Sequence, residues 1–289
     1  MQRCIEQGDW EGVVSEAVLQ KDEPTRAIVM MRNLALGRLG RQGDEMYAFV
    51  NGSKRYEAPF NMRLMLVAGP LIYYHYGMLN YSSRLNTEMG VEFGWRVENL
   101  KLLAKCALLL NEQSQARKYL GLLGHTLFYK EWTGEAKSLP DLTTVRRMMH
   151  YENRLTGDNG DIESFLMNRL AECSYAEDPF FQEQTLLASL WTKDAGQFWY
   201  HFNDYTLLHP NARIPRYYQE AAYLYGKIEG RKGIDLAPFD DGVKQSFESF
   251  MTAAARFDNA EVDVARAALK AYRHTFYYDY YLMRQLPEY

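Results

Sequence analysis

Catalysis or metal binding needs His, Cys, Asp or Glu at spacings that let side chains converge, and the six histidines of this 289-residue chain have no paired ligand spacing. His75, His125, His150, His201, His209 and His274 read as hydrogen-bonded residues on helix faces and in turns. Cys4, Cys106 and Cys173 are far apart and form no CxxC, which points to buried free thiols rather than to a disulfide framework or a zinc cluster. The carboxylate pairs Asp240-Asp241 and Glu177-Asp178 are chain neighbours. Adjacent side chains do not converge on one substrate, so these acids are expected at helix starts, where the macrodipole favours them. No GxGxxG, GxxxxGK[ST], GxSxG or HExxH occurs. The residues therefore imply no metal, no cofactor and no catalytic constellation.

Charge narrows the partners. Lys and Arg number 33 against 37 Asp and Glu, a net charge of −4, without a long run of either sign. A nucleic-acid or anionic-membrane surface would draw its affinity from clustered Lys and Arg, so neither is expected. No run of 18 or more uncharged apolar residues is present, and MQRCIEQGDWEG lacks the charged-then-apolar plan of a signal peptide, so the chain as it stands reads as soluble. The 22 Tyr, 14 Phe and 5 Trp are expected as wedges between packed helices.

The elements that would position any site are helices. In 97–130, the polar residues Glu98, Lys101 and Lys105 recur at three and four residues, while Leu102, Leu103, Cys106, Ala107, Leu109 and Leu110 fill the other faces. After a turn at Asn111, a second helix carries Ala116, Leu120, Leu123 and Leu127 at helical spacing. Faces this wide need neighbours on both sides. Further helices are expected over 9–20, 24–39, 44–50, 61–77 with a kink or break at Pro70, 80–94, 141–156, 161–173, 178–191, 195–208, 217–229, 243–257 and 259–284. The last would cap the array and carries the aromatic run Phe276, Tyr277, Tyr278, Tyr280 and Tyr281, which could also serve as an interface.

Turn formers at Gly8, Gly43, Gly77 and Asn111 are spaced by 35, 34 and 34 residues, each followed five positions later by a small or apolar residue. That period is the signature of tetratricopeptide-like helix pairs, so the expected fold is an all-α superhelical solenoid of antiparallel pairs. The period fails after Lys130. Residues 132–140, with Gly134 and Pro140, read as a linker between halves 1–131 and 141–289, one continuous domain being the alternative.

In such stacks the concave surface is lined by one stripe of each first helix. The register nominates Asn33, Tyr74, His75, Glu98, Lys101, Lys105, Arg216, Gln219 and Tyr223 as groove-lining residues for an extended peptide or a protein partner. A plain solvated face is the competing reading. A non-catalytic binding scaffold is the preferred function. The alternative is an enzyme or small-ligand protein with a site between the halves, near 132–141 and the aromatics of 199–205.

The segments NLALGRLG (33–40), residues 88–95, ARKYLGLLGHTLFYKEW (116–132), FWYHFNDY (198–205) and IPRYYQEAAYLY (214–225) resemble an uncharacterised protein family of Bacteroidota. The resemblance covers most of the chain and carries no motif of known chemistry. It implies a helical-repeat region that membrane-spanning segments precede. The chain would then be the soluble portion of a membrane-associated bacterial protein on the extracytoplasmic side, with a shortened relative or a cytoplasmic protein as the alternatives.

Overall fold

Helices begin where short polar side chains can take up the free N–H groups of a first turn. Asp9 accepts from the Gly12 N–H, Asp178 from those of Phe180 and Phe181, and Asp194 from that of Gln197. The computed structural model describes residues 1–19, 24–49, 51, 62–150, 154–156, 161–174, 177–257 and 261–283, with the backbone alone for 62–67. Among these residues every regular element is a helix.

Two compact units result, one joining Arg3–Phe60 to Glu163–Tyr289, the other formed by Asn61–Ile162. The first begins with α1 (Gln2–Gln7), α2 (Trp10–Val18), α3 (Arg26–Arg38) and the short α4 (Gln42–Glu45). The second holds α5 (Met62–His75), α6 (Leu79–Phe93), α7 (Val97–Leu109), α8 (Gln113–Gly124), α9 (Lys130–Glu135) and α10 (Pro140–Arg147). The chain then returns to the first unit with α11 (Ile162–Ala171), α12 (Pro179–Thr192), α13 (Ala195–Leu208), α14 (Arg216–Ile228), α15 (Asp241–Ala254), α16 (Val262–Ala268) and α17 (Phe276–Leu282). This division differs from the expected halves 1–131 and 141–289. Residues 132–140 lie inside the second unit, because α10 buries Leu142 and Val145 and its Asp141 is bound by α5 and α7.

One backbone device closes the helices. Gly8, Gly40, Gly77, Asn111, Lys193 and Gly230 are left-handed, with φ between 60° and 82°, and the N–H after each bonds to the carbonyl five residues before it: Asp9 to Cys4, Arg41 to Leu36, Met78 to Tyr73, Glu112 to Ala107, Asp194 to Ser189 and Arg231 to Gly226. The expected turns at Gly8, Gly77 and Asn111 are all of this kind. Gly43 is not a turn residue: it sits inside α4, and the reversal falls at Gly40, which breaks the equal spacing. Gly43 instead lets α4 approach α14, since a Cβ there would lie 2.6 Å from Pro215 Cβ and 2.8 Å from Tyr218 Cζ.

Other expectations are also corrected. Of the kink or break expected at Pro70, the break does not occur: α5 runs on to His75, and the Pro70 carbonyl accepts from Ser82 Oγ of α6 at 2.7 Å. Leu127 is 93% exposed, because α8 stops at Gly124 before the helical spacing can carry Leu127 to its buried face. Cys106 is buried, donates to Ser82 Oγ and has its thiol pushed up to about 11 by burial, whereas Cys4 and Cys173 are partly exposed.

The centre of the first unit is α14. Ten consecutive residues, Tyr217 to Gly226, are buried, so the helix is enclosed on all sides, with α4, α13, α15 and α17 packed on it. The packing is aromatic: Tyr47 meets Tyr217 edge-on at 5.0 Å and Phe276 at 5.6 Å, and Tyr225 meets Phe198 at 5.1 Å and Phe276 at 5.7 Å. The aromatic run at the end of the chain is thus largely a core wedge, with Phe276 and Tyr277 fully buried. The single long helix expected over 259–284 is broken, because Thr275 takes an extended conformation and starts α17 afresh.

α17 is held at both ends by opposite charges. At its N-terminus the buried Glu220 carboxylate accepts the Phe276 N–H at 2.7 Å, and at its C-terminus Lys193 Nζ donates to the carbonyls of Asp279, Tyr280 and Met283 and pairs with the Asp279 carboxylate. Each charge lies at the end of the helix dipole that attracts it. Replacing Lys193 by Met would strand these carbonyls and a largely buried carboxylate. A loss of about 2–4 kcal/mol in urea-unfolding stability is expected. A Gly77→Ala variant should lose about 2–3 kcal/mol, since the new Cβ would stand 2.2 Å from the Met148 carbonyl oxygen at a φ of +82°. Wild-type unfolding midpoints in either variant would contradict the packing described.

Candidate functional site

Within the second unit, α7 presents Glu98, Lys101 and Lys105 at successive turns, and only Glu98 is openly exposed. Lys101 Nζ stands 5.1 Å from the ring centroid of Tyr129 and 5.0 Å from that of Trp132. A lysine over two aromatic faces gains on the order of 0.5–1 kcal/mol per face at an accessible site. Lys105 Nζ lies 2.6 Å from Asp141 Oδ2, which also accepts from Tyr74 OH at 3.0 Å, and the ammonium sits 5.6 Å from the Tyr74 ring. Three residues of the expected stripe, Tyr74, Lys101 and Lys105, are thus brought together, and their partners are Tyr129, Trp132 and Asp141.

The Lys101 contacts hold the connection from α8 to α9, while the Lys105 contacts hold α10. His125 Nδ1 faces the Gly121 carbonyl at 2.6 Å, Thr126 Oγ1 donates to the Leu123 carbonyl at 2.6 Å, and Lys101 fastens Tyr129 and Trp132 on the far side. Between these anchors, Leu127 and Phe128 are 93% and 86% exposed. Because α6, α7 and α8 pack as successive antiparallel neighbours, the α6–α7 connection lies at the same end of the unit as the α8–α9 connection. That end also exposes Val91, Phe93, Trp95 and Leu122. Gly90 makes room for Trp95: a Cβ there would come within 2.6 Å of the indole. Exposed large apolar side chains become candidates for interaction when they adjoin one another.

The other expected groove residues have different surroundings. Asn33, His75, Gln219 and Tyr223 are buried, as is Tyr74, whereas Arg216 is exposed. Gln219 donates to the Ile214 carbonyl at 2.8 Å and to Asp240 Oδ2 at 3.1 Å, and its own oxygen accepts the Asp240 N–H at 2.7 Å. Tyr223 OH donates to Asp235 Oδ1 at 2.8 Å, which Lys227 also meets at 2.6 Å. Both side chains therefore fasten the 229–240 loop to α14. Arg216 pairs with Glu220 at 2.8 Å.

Ionisable groups converge at one further place in the first unit. Burial raises the Glu183 carboxyl, which accepts from Tyr218 OH at 2.8 Å, and burial also pushes Tyr205 up to about 12. His209 stacks on Tyr205 at 4.4 Å, with its Nδ1 against the Tyr205 carbonyl. His201, buried in α13, faces the Ala171 carbonyl through Nε2 at 2.7 Å and Thr185 through Nδ1 at 3.1 Å. Burial lowers its pKa, and both ring nitrogens are taken up by partners within the chain, which marks it as a structural imidazole. Among the described residues no group of three or more His, Cys, Asp or Glu is placed to hold a metal ion, and no helix is long and apolar enough to cross a membrane.

Glu220 makes the first unit responsive to pH. Burial raises its carboxyl to about 7, against the lowering effects of the Phe276 N–H and Arg216. The folded chain therefore keeps a proton that the unfolded chain releases near the ordinary glutamate value. Its stability contribution is full below that value and falls as pH rises to about 7. Glu220→Gln should flatten this part of a thermal-stability profile, and an unchanged slope between pH 5 and about 7 in the variant would contradict the assignment.

Among the described residues the architecture is that of an all-helical protein of packed helices. The chain belongs to a family of unknown function (DUF6057), whose model matches residues 1–284. No curated protein and no solved structure matches it.

Proposed function

We propose that this protein is a non-catalytic helical scaffold, a tetratricopeptide-like stack of hairpins, that binds a protein or peptide through the braced end of its second unit. The observation that carries the reading is the pair Leu127 and Phe128, held out into water between anchored residues. Large side chains fixed before binding lose little conformational entropy on docking, which is how a few residues come to dominate an interface. Glu98, beside them on α7, would belong to the polar rim, and Lys101 and Lys105 would act as supports beneath the surface. The resemblance noted above adds a setting, a membrane-anchored bacterial parent with this region outside the bilayer.

A second reading, a small-ligand site or an enzyme, draws on the cluster of Glu183, Tyr205, His209 and Tyr218. His209→Ala would then abolish ligand binding, with the fold retained.

The scaffold reading is tested by quantitative capture. With wild-type protein as bait, the partner found should be lost on Phe128→Glu or Leu127→Glu, both of which should leave stability within about 0.5 kcal/mol because the side chains are exposed. Lys101→Met should weaken capture more mildly by loosening the brace. Equal capture by all variants would overturn the reading.

A further inference from the structure

We infer that α17 is a strap over α14 and α15 that opens with the rest of the first unit still folded, and that release of a proton from Glu220 drives the opening. The inference concerns the first unit and does not depend on the scaffold reading. Its first ground is the build of α17. A helix of seven residues is not stable alone in water, so α17 keeps its shape through what it is docked on. On the side that leads to α16, the 3-10 turn Lys270–Tyr272 and the extended Thr275 interrupt the helix. That break gives α17 a pivot, and it can lift without unwinding a longer element. Four polar contacts fasten it: Glu220 to the Phe276 N–H, Lys193 to the last carbonyls, Tyr277 OH to Ser246 of α15, and Arg266 of α16 to the Leu282 carbonyl at 2.8 Å.

The second ground is the place of Glu220. Its side chain is 0% exposed, and α17 helps to cover it, with the Phe276 N–H 2.7 Å from the carboxylate and Phe276 and Tyr277 fully buried. Lifting α17 lets water reach the carboxylate. Burial disfavours the ionised form and water restores it, so the closed strap holds the proton to higher pH than the open one. Opening therefore releases a proton, and it is favoured as pH rises from the ordinary glutamate value to about 7. The groups around Glu220 leave this sign unchanged. Arg216 pairs with it from α14 but is 47% exposed, and the other neighbours it acts on are the phenols of Tyr217 on α14, Tyr277 on α17 and Tyr47 after α4, all raised by burial. Asp44 and Glu45 of α4 act on Tyr217, the uncharged Ser246, Phe247 and Phe250 of α15 meet Tyr277, and Lys193 pairs with Asp279 at the far end. His274, just before α17, turns its ring to the Tyr47 carbonyl.

Hydrogen exchange read by mass spectrometry on the full chain between pH 5 and 8, with the intrinsic exchange rate divided out, tests the strap. In wild-type protein the amides of α17 should be less protected than those of α12 at every pH, which marks an opening short of unfolding. Their protection should fall on the order of tenfold or more between pH 5 and 7. Glu220→Gln keeps an acceptor for the Phe276 N–H without a titrating proton, and its α17 protection should be flat over that range. Equal protection of α17 and α12 in wild-type protein means that the unit opens as a whole and overturns the strap, whether or not the variant folds. A flat wild-type profile for α17 overturns the role of Glu220. A slope that persists in Glu220→Gln belongs to another group, His274 being the nearest candidate, and overturns it as well.

Discussion

Helix hairpins in this protein depend on one backbone constraint, the left-handed residue that ends a helix and sends the chain back along it. At each such residue the next N–H reaches the carbonyl five positions earlier, so the turn satisfies groups that the end of a helix leaves open. Four of the six positions are glycine, for which the conformation is free of Cβ strain. Asn111 tolerates it through its short polar side chain. Lys193 has neither advantage, and its side chain shows why it is placed there: the ammonium caps the last helix through three carbonyls. One residue thus closes α12 and ties down α17, which joins a local turn to a contact 86 to 90 residues away.

The two charges on α17 set how the first unit closes. Glu220 and Lys193 belong to separate helical elements, yet they meet opposite ends of the same seven-residue helix. A helix of that length has little stability alone. Its place is secured by burying Phe276 and Tyr277 among Tyr47, Tyr225, Phe247 and Phe250, and by complementary charge at its termini. Burial of Glu220 works against its ionised form, so the contact that positions α17 is also sensitive to protonation.

Much of the fold was legible because its signals are local. Asp caps, the glycine turns at Gly8 and Gly77, and the three- and four-residue recurrence of polar positions in α7 place most helices within a few residues of their observed bounds. The failures share a physical cause. Gly43 looks like a turn former, but a glycine can equally serve a close helix contact, and Pro215 with Tyr218 decides between the two uses. The final helix reads as continuous because Thr275 is compatible with helix until its hydroxyl caps a new one at Tyr278. The division into units was not legible at all, since it depends on the chain returning to the first unit after α10, which no local pattern announces.

The candidate surface shows the same limit in sharper form. A lysine on an amphipathic helix has one sequence signature whether it faces a ligand, water or its own chain. Lys101 and Lys105 differ from free surface lysines through contacts remote in sequence, among them Tyr129, Trp132 and Asp141, which lie 28 or more residues further along. Leu127 and Phe128 were hidden for the complementary reason. Leu127 recurs with Ala116, Leu120 and Leu123 as one buried helical face, and only the end of α8 at Gly124 puts it, with Phe128, in water. Lys101 and Lys105 are therefore committed to partners within the chain, and Leu127, expected on a buried face, is left facing solvent. On the scaffold reading proposed above, contact energy would come from nonpolar area and would change little with salt, since both lysines are committed to partners within the chain.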